Sequence, residues 1–92
     1  GAAFVTITRA EGKPSKGELR VEGTATTATN VSIYEGGPDS SGGACPGTKI
    51  GTATVNNDEF RFEKKNLASV PNTVCIRSSD GQIAWSPVED KD

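Results

Sequence analysis

Hydrophobic alternation with a period of two residues is the feature that most constrains the fold of this 92-residue chain. In residues 18–23, leucine and valine alternate with arginine and glutamate, and residues 59–63 alternate phenylalanine with charged side chains. Successive side chains of a strand point to opposite faces, so the pattern predicts antiparallel strands with one dry and one wet face. No long segment shows the 3.6-residue period of an amphipathic helix, which argues against a helical fold.

Turn-forming residues divide the chain into seven predicted strands. They fall at residues 3–9, 18–23, 31–34, 49–55, 59–63, 73–78 and 82–88. Residues 56–58 predict a tight hairpin turn, and residues 36–47, almost all turn formers, predict a long exposed loop. Leu67 and Val70, in the last long connection, are expected to plug the core. Short strands at even spacing are typical of an antiparallel sandwich, so we predict an all-β domain.

The whole chain, residues 1–92, is short enough to form a single domain with a thin core. Only 33% of its residues are hydrophobic, and their burial must offset about 1.5 kcal/mol of conformational entropy for each ordered residue. We therefore expect a covalent staple to supplement the core, and the two cysteines of the chain could supply it.

Composition also limits the function. The chain has no histidine, the commonest general base and a frequent metal ligand, and no serine or acid lies in a nucleophile motif. We therefore expect no enzymatic activity, catalytic residue, bound metal or cofactor. A net charge of −2 with interspersed signs argues against nucleic-acid binding. No apolar run approaches the length of a membrane helix, so no membrane insertion is predicted.

Several segments resemble bacterial immunoglobulin-like repeat modules of secreted and cell-surface proteins. They are residues 7–10, 17–23, 51–55, 60–62 and 74–76, together with Leu67. Prealbumin-like repeats of collagen adhesins have a related layout. The resemblance implies a seven-stranded immunoglobulin-like antiparallel β-sandwich, monomeric as an isolated domain. It also implies a place in a longer exported bacterial protein, in the periplasm or at the cell surface.

The same resemblance suggests how the two cysteines are used. The third and sixth strands of an immunoglobulin-like sandwich are neighbours, so the loop after the third strand, which carries Cys45, can reach Cys75 on the outer face of the sixth. A disulfide between them would stabilise the domain by roughly 3.5 to 4 kcal/mol in the chain-entropy account. Two free thiols and a reactive pair remain alternatives.

The aromatic residues raise a second question, about the faces of the strands. Phe4, Phe60 and Phe62 are expected in the core, but Tyr34 is out of phase with its apolar neighbours. If the small residues of the last strand face inward, one outer face carries a candidate partner surface of Tyr34, Arg77, Ile83 and Trp85, beside Cys75. The alternative places Ile83 and Trp85 inward, and the usual burial of tryptophan in small sandwiches favours it.

Three functions remain open at this stage. The leading one, implied by the resemblance, is a non-catalytic structural, adhesion or spacer module that contacts neighbouring domains of the same chain. The second is a module that binds a protein or carbohydrate ligand through the aromatic surface and the glycine-rich loop. The third is an accessory domain of an exported enzyme.

Overall fold

A computed structural model describes residues 4–26 and 28–92 of the chain. Ala3, with which the first strand was predicted to begin, and Thr27, in the predicted polar connection, lie outside the described residues. Eight strands are present in the described part: β1 (Val5–Lys13), β2 (Glu18–Ala25), β3 (Asn30–Glu35), β4 (Lys49–Asn56), β5 (Glu59–Lys64), β6 (Thr73–Ser78), β7 (Ile83–Pro87) and β8 (Glu89–Asp90). A short 3₁₀ turn, Pro14–Lys16, joins β1 to β2.

The all-β prediction is confirmed, and the described residues form eight strands where seven were predicted. The eight strands form one nearly closed, barrel-like sheet in the order β7-β6-β3-β4-β5-β2-β1-β8. Strand β4 makes the sheet continuous, because it pairs along its length with β3 and then, at Val55 and Asn56, with β5. The eighth strand is a two-residue segment after β7 that pairs in parallel with β1.

The first strand is longer than the sequence suggested. The predicted strand ends at residue 9, yet residues 9–13 of β1, Gly12 included, pair with β2 without interruption. Packing explains this glycine, because a Cβ on Gly12 would lie 2.7 Å from Cγ1 of Val70. The strand ends only at Pro14, whose ring removes the amide hydrogen that a further ladder bond would need.

The core lies between the inner faces of the strands. Its completely or almost completely buried apolar side chains are Leu19, Val21, Ala25, Val31, Ile33, Phe60, Val74 and Ile76. Leu67 and Val70 pack against this cluster, which confirms their predicted place. Phe4 does not, since it is 49% exposed, and the next residue, Val5, takes the inward position.

Two glycines make room for the phenylalanine rings in the core. Gly23 is directly opposite Phe60 in the ladder between β2 and β5. A Cβ on Gly23 would lie 1.9 Å from the carbonyl oxygen of Thr6 and 2.8 Å from the Phe60 ring, and a Cβ on Gly51 would lie 2.5 Å from the ring of Phe62. Large side chains thus pack against small ones across the facing strands.

Candidate functional site on the outer face of β3, β6 and β7

A disulfide ties the glycine-rich loop to the outer face of β6. Cys45 and Cys75 are bonded, with Cα atoms 5.6 Å apart and 30 positions between them in the sequence. Strand β3 pairs with β6, which is the neighbour relationship on which this pairing was predicted. Cys75 has no exposed surface although its side chain is on the outer face. The disulfide prediction is therefore confirmed.

The loop held by this bond, residues 36–47, is organised around one carboxylate. The Ser41 hydroxyl and the Gly43 amide donate to Oδ1 of Asp39 at 2.8 and 3.0 Å. The hydrogen bond from Ser41 is the main reason that the pKa of Asp39 is below its ordinary value; desolvation opposes the shift, and the amides of Gly43, Ala44 and Gly42 add to it. Asp39 thus links residues 39, 41 and 43 of the loop through hydrogen bonds to its carboxylate.

Tyr34, Cys75 and Trp85 form a row across three strands. Tyr34 is opposite Cys75 in the β3–β6 ladder, and Cys75 is opposite Trp85 in the β6–β7 ladder. Tyr34 is half-buried, while Trp85 is 55% exposed. The sequence preference for a buried Trp85 is therefore wrong.

The hydrogen-bonding pattern fixes the spacing within this row. The amide of Val88 donates to the carbonyl of Asn72 at 2.8 Å, so alternation along the ladder makes Cys75 and Trp85 a pair without direct backbone hydrogen bonds. The Gly36 amide donates to the Thr73 carbonyl at 2.8 Å, which makes Tyr34 and Cys75 a hydrogen-bonded pair. The Cα atoms of Tyr34 and Trp85 are thus about 10 Å apart.

A second row lies beside the first. Arg77 of β6 is opposite Ser32 of β3 on one side and Ile83 of β7 on the other. Arg77 is exposed and Ile83 is half-buried. The structure therefore brings all four predicted surface residues to one face, and we call this face, with Ser32 and Cys75, the aromatic platform.

The inner face of β7 explains why Trp85 points outward. Ala84 and Ser86 face the core opposite Ile76 and Val74, which are both completely buried. The inner positions of β7 opposite these two larger side chains are thus occupied by small residues. Register then fixes Trp85, between Ala84 and Ser86, on the opposite face.

Sequence reasoning missed the contribution of β4 to this face. Thr52 is opposite Ser32, and Lys49 is opposite Tyr34 because an irregularity in the ladder leaves Ile50 without a partner in β3. Ile50 packs against the core instead. Simple alternation assigns Lys49 and Thr52 to opposite faces, so no sequence signal indicated that they belong together.

Arg77 differs from the other arginines of the chain in its electrostatic surroundings. Arg9 and Arg61 approach Glu22, at 3.9 and 3.7 Å, and Arg20 pairs with Glu63 at 3.0 Å. Within residues 4–26 and 28–92, no carboxylate forms an ion pair with Arg77. The platform therefore presents a guanidinium whose hydrogen-bonding capacity toward an acid is unused.

The opposite side of the molecule carries a shallow groove bordered by paired charges. Nζ of Lys91 lies 3.1 Å from a carboxylate oxygen of Glu89 and 3.7 Å from one of Glu11. The hydrogen bond that Nζ of Lys91 donates to the Glu89 carboxylate is the first cause of the raised pKa of Lys91. Because these exposed charges already neutralise one another, the groove has the character of a solvated ion-pair surface.

Searches for a metal site and a membrane-spanning helix, and comparisons with known proteins, identify no further site or family. No group of three or more acidic or cysteine side chains in the described part of the chain is arranged to hold a metal ion. Among the same residues, no helix has the length and apolar character needed to cross a membrane. Comparison with protein-family models, with curated proteins and with solved structures found no match.

Proposed function

We propose that the chain is a non-catalytic, immunoglobulin-like structural module that spaces or joins neighbouring domains of an exported bacterial protein. The strand order supports the fold assignment. Strands β1, β2, β5 and β4 correspond to A, B, E and D of an immunoglobulin domain, and β3, β6 and β7 correspond to C, F and G. In this assignment strands β1–β7 form the seven-stranded sandwich, and β8 is an extension of its last strand.

The observation that carries the spacer function is the direction of the outermost strands. The end of the β7–β8 segment runs parallel to β1, with Glu89 beside Glu11 and Asp90 beside Gly12. Strand β1 has nine residues and is therefore about 30 Å long. A chain that enters at the beginning of β1 thus leaves at the opposite end of the barrel, the arrangement required for modules joined end to end.

The exit point is also fixed to the barrel. The carboxylate of Asp92 accepts hydrogen bonds of 2.8 Å from both the amide and the hydroxyl of Ser15, and the amide of Lys91 donates to the carbonyl of Gly12. The Ser15 amide and then its hydroxyl are the leading causes of the lowered pKa of Asp92. A spacer benefits from such anchoring because it limits bending at the junction.

The disulfide supports the assignment to an exported protein. Disulfides persist in oxidising environments such as the periplasm and the cell exterior, and they are rare in the reducing cytosol. Small domains with thin cores also depend on them for stability. The periplasm or the cell surface is therefore the proposed location.

Small-angle X-ray scattering of tandem copies of the chain tests the spacer function. Two and three copies of the chain, joined through short linkers, should form particles whose maximum dimension increases with each copy by between 31 and 41 Å, the two longer dimensions of the molecule. A maximum dimension that does not increase with copy number would contradict the proposal, since the modules would then fold back on one another.

The exposed Trp85 favours a second candidate function, a binding module that uses the aromatic platform. Large exposed aromatic side chains with polar neighbours are characteristic of partner surfaces. If the platform binds a ligand, Trp85→Ala should abolish binding, whereas removal of the equally exposed Phe4 should not. Retained binding in Trp85→Ala would exclude the platform as the site.

A further inference from the structure

We propose that the aromatic platform binds an acidic carbohydrate, with a sugar ring on Trp85 and the sugar carboxylate on Arg77. This inference rests on the second candidate function and specifies its ligand class. It starts from the residues of two neighbouring rows, Tyr34–Cys75–Trp85 and Ser32–Arg77–Ile83.

The rings provide the stacking surface. The face of an indole or phenol ring is electron-rich and attracts the slightly positive C–H bonds on one face of a pyranose ring. Trp85 is 55% exposed, and Tyr34 lies about 10 Å away across β6. Between them, the disulfide places Cys45 and its loop over Cys75, so Trp85, next to Arg77, is the ring on which the sugar stacks.

Polar side chains beside the rings match the other parts of a sugar. Hydroxyl groups of Ser32 and Thr52 lie on the same face and can exchange hydrogen bonds with sugar hydroxyls. The guanidinium of Arg77 can donate two parallel hydrogen bonds to a carboxylate. The alternation of rings and hydrogen-bonding groups therefore suits a ligand with the same alternation of C–H faces and polar groups.

Charge complementarity favours an acidic over a neutral ligand. Arg77 and Lys49 carry positive charge on this face, and neither forms an ion pair within the described residues. Three acids occur in the segments that adjoin this face in the sequence. They are Glu35 at the end of β3, Asp39, which is bonded within the loop, and Asp80, which accepts a hydrogen bond from Ser78. Arg77 and Lys49 thus offer positive charge to a sugar carboxylate, although the protein has a net charge of −2.

The size of the platform argues against a protein as its ligand. Four strands, β4, β3, β6 and β7, span about 14 Å, and the six residues of β3 span about 20 Å, which gives a face of about 300 Å². The loop tethered at Cys75 covers part of that face. A stable protein–protein interface covers about 800 Å² on each partner. An oligosaccharide of a few residues requires far less surface and fits this face.

Fluorescence titration and calorimetry provide the test, because Trp85 is the single tryptophan of the chain and reports directly on stacking. The acidic probes are oligosaccharides of galacturonate, alginate and hyaluronan, and the neutral probe is a glucose oligosaccharide of equal length. We expect at least one acidic probe to change the Trp85 emission and to bind at least about 10-fold more tightly than the neutral probe, a preference that salt reduces.

Four variants locate the site. Trp85→Ala should abolish the binding that calorimetry detects. Arg77→Gln should lower the affinity for the acidic probe by about 10-fold or more and leave the affinity for the neutral probe unchanged. Phe4→Ala and Arg61→Gln, an exposed aromatic and an exposed arginine outside the platform, are the matched controls and should bind like the original chain.

Four results would overturn the proposal. No response to any acidic probe would exclude the ligand class. Equal affinity for acidic and neutral probes, with dependence on Trp85 but not on Arg77, would support the second candidate function but reject an acidic carbohydrate as the specific ligand. Binding of a protein through Trp85, without any glycan, would likewise preserve the second function and reject this inference. Equal losses in Arg61→Gln and Arg77→Gln would indicate unspecific charge attraction and also reject it.

Discussion

Removal of the disulfide should cost this small domain a large part of its stability. Cys45→Ala is the cleanest perturbation, because Cys45 lies in the exposed loop while Cys75 is completely buried and keeps its packing. The 30 positions between the two cysteines set the size of the loop that the bond closes. In the chain-entropy account, opening a loop of this size destabilises the folded state by about 3.6 kcal/mol.

Urea unfolding followed by far-ultraviolet circular dichroism measures this loss. In a thermal scan without urea, the same loss of stability should lower the melting temperature of a domain of this size by about 15 to 30 °C. Reductant should lower the stability of the original chain to that of Cys45→Ala and should not affect the variant. Ser40→Ala, a change at an exposed position of the same loop, is the control. A loss below about 1 kcal/mol at an unchanged urea slope would refute the loop-entropy reasoning.

Three further predictions concern a close contact, a turn and a titrating group. Gly23→Ala should destabilise the fold by about 2 to 3 kcal/mol, because its Cβ would lie 1.9 Å from the carbonyl oxygen of Thr6. Gly37→Ala, where the nearest atom is 3.9 Å away, should be nearly neutral in the same urea experiment. Asp58→Gly should increase the free energy of unfolding by up to about 1 kcal/mol and raise the melting temperature accordingly. The reason is that position 58 has a left-handed backbone with φ of 63°, which glycine adopts without strain. The lowered pKa of Asp39 means that its stabilising effect is present above the unfolded-state pKa and is lost as the pH falls through the folded-state pKa. The stability difference between the original chain and Asp39→Asn should therefore shrink on acidification below about pH 4; a difference independent of pH would contradict the assigned role of this carboxylate.

The strands were predictable from the sequence where a single rule decided them. Strand β2 and strand β5 alternate strictly, and the structure buries Leu19, Val21, Phe60 and Phe62 as that alternation requires. The hairpin between β4 and β5 was predicted from turn chemistry alone. Both predictions depend on neighbours within a few residues, and such local preferences survive in the folded protein.

Predictions failed where partners distant in the sequence changed the outcome. Position 12 was not predicted to belong to the first strand, but packing against Val70 makes glycine the residue that fits there inside β1. The unpaired Ile50 shifts Lys49 onto the face of Tyr34, which alternation within β4 does not reveal. Both effects arise from side chains that approach only after the strands have assembled.

The candidate site divides in the same way. Which residues of β3, β6 and β7 share a face follows from their alternation, so the grouping of Tyr34 with Trp85 could be formulated from the sequence. Whether that group faced the core or the solvent could not, because periodicity is the same for either orientation. In the folded protein Ala84 and Ser86 face inward opposite Ile76 and Val74, and this register exposes Trp85.

Alternation, turn chemistry and the shortage of hydrophobic residues determine an all-β chain that benefits from a covalent staple, because each of these properties acts locally or through composition. Assembly of the strands decides that β4 connects both halves into one nearly closed sheet, that Cys75 is buried beneath a tethered loop, and that Trp85 is exposed beside an arginine without an acidic partner. These features depend on the volume and register of strands far apart in the chain, and such quantities exist only once the strands are packed together.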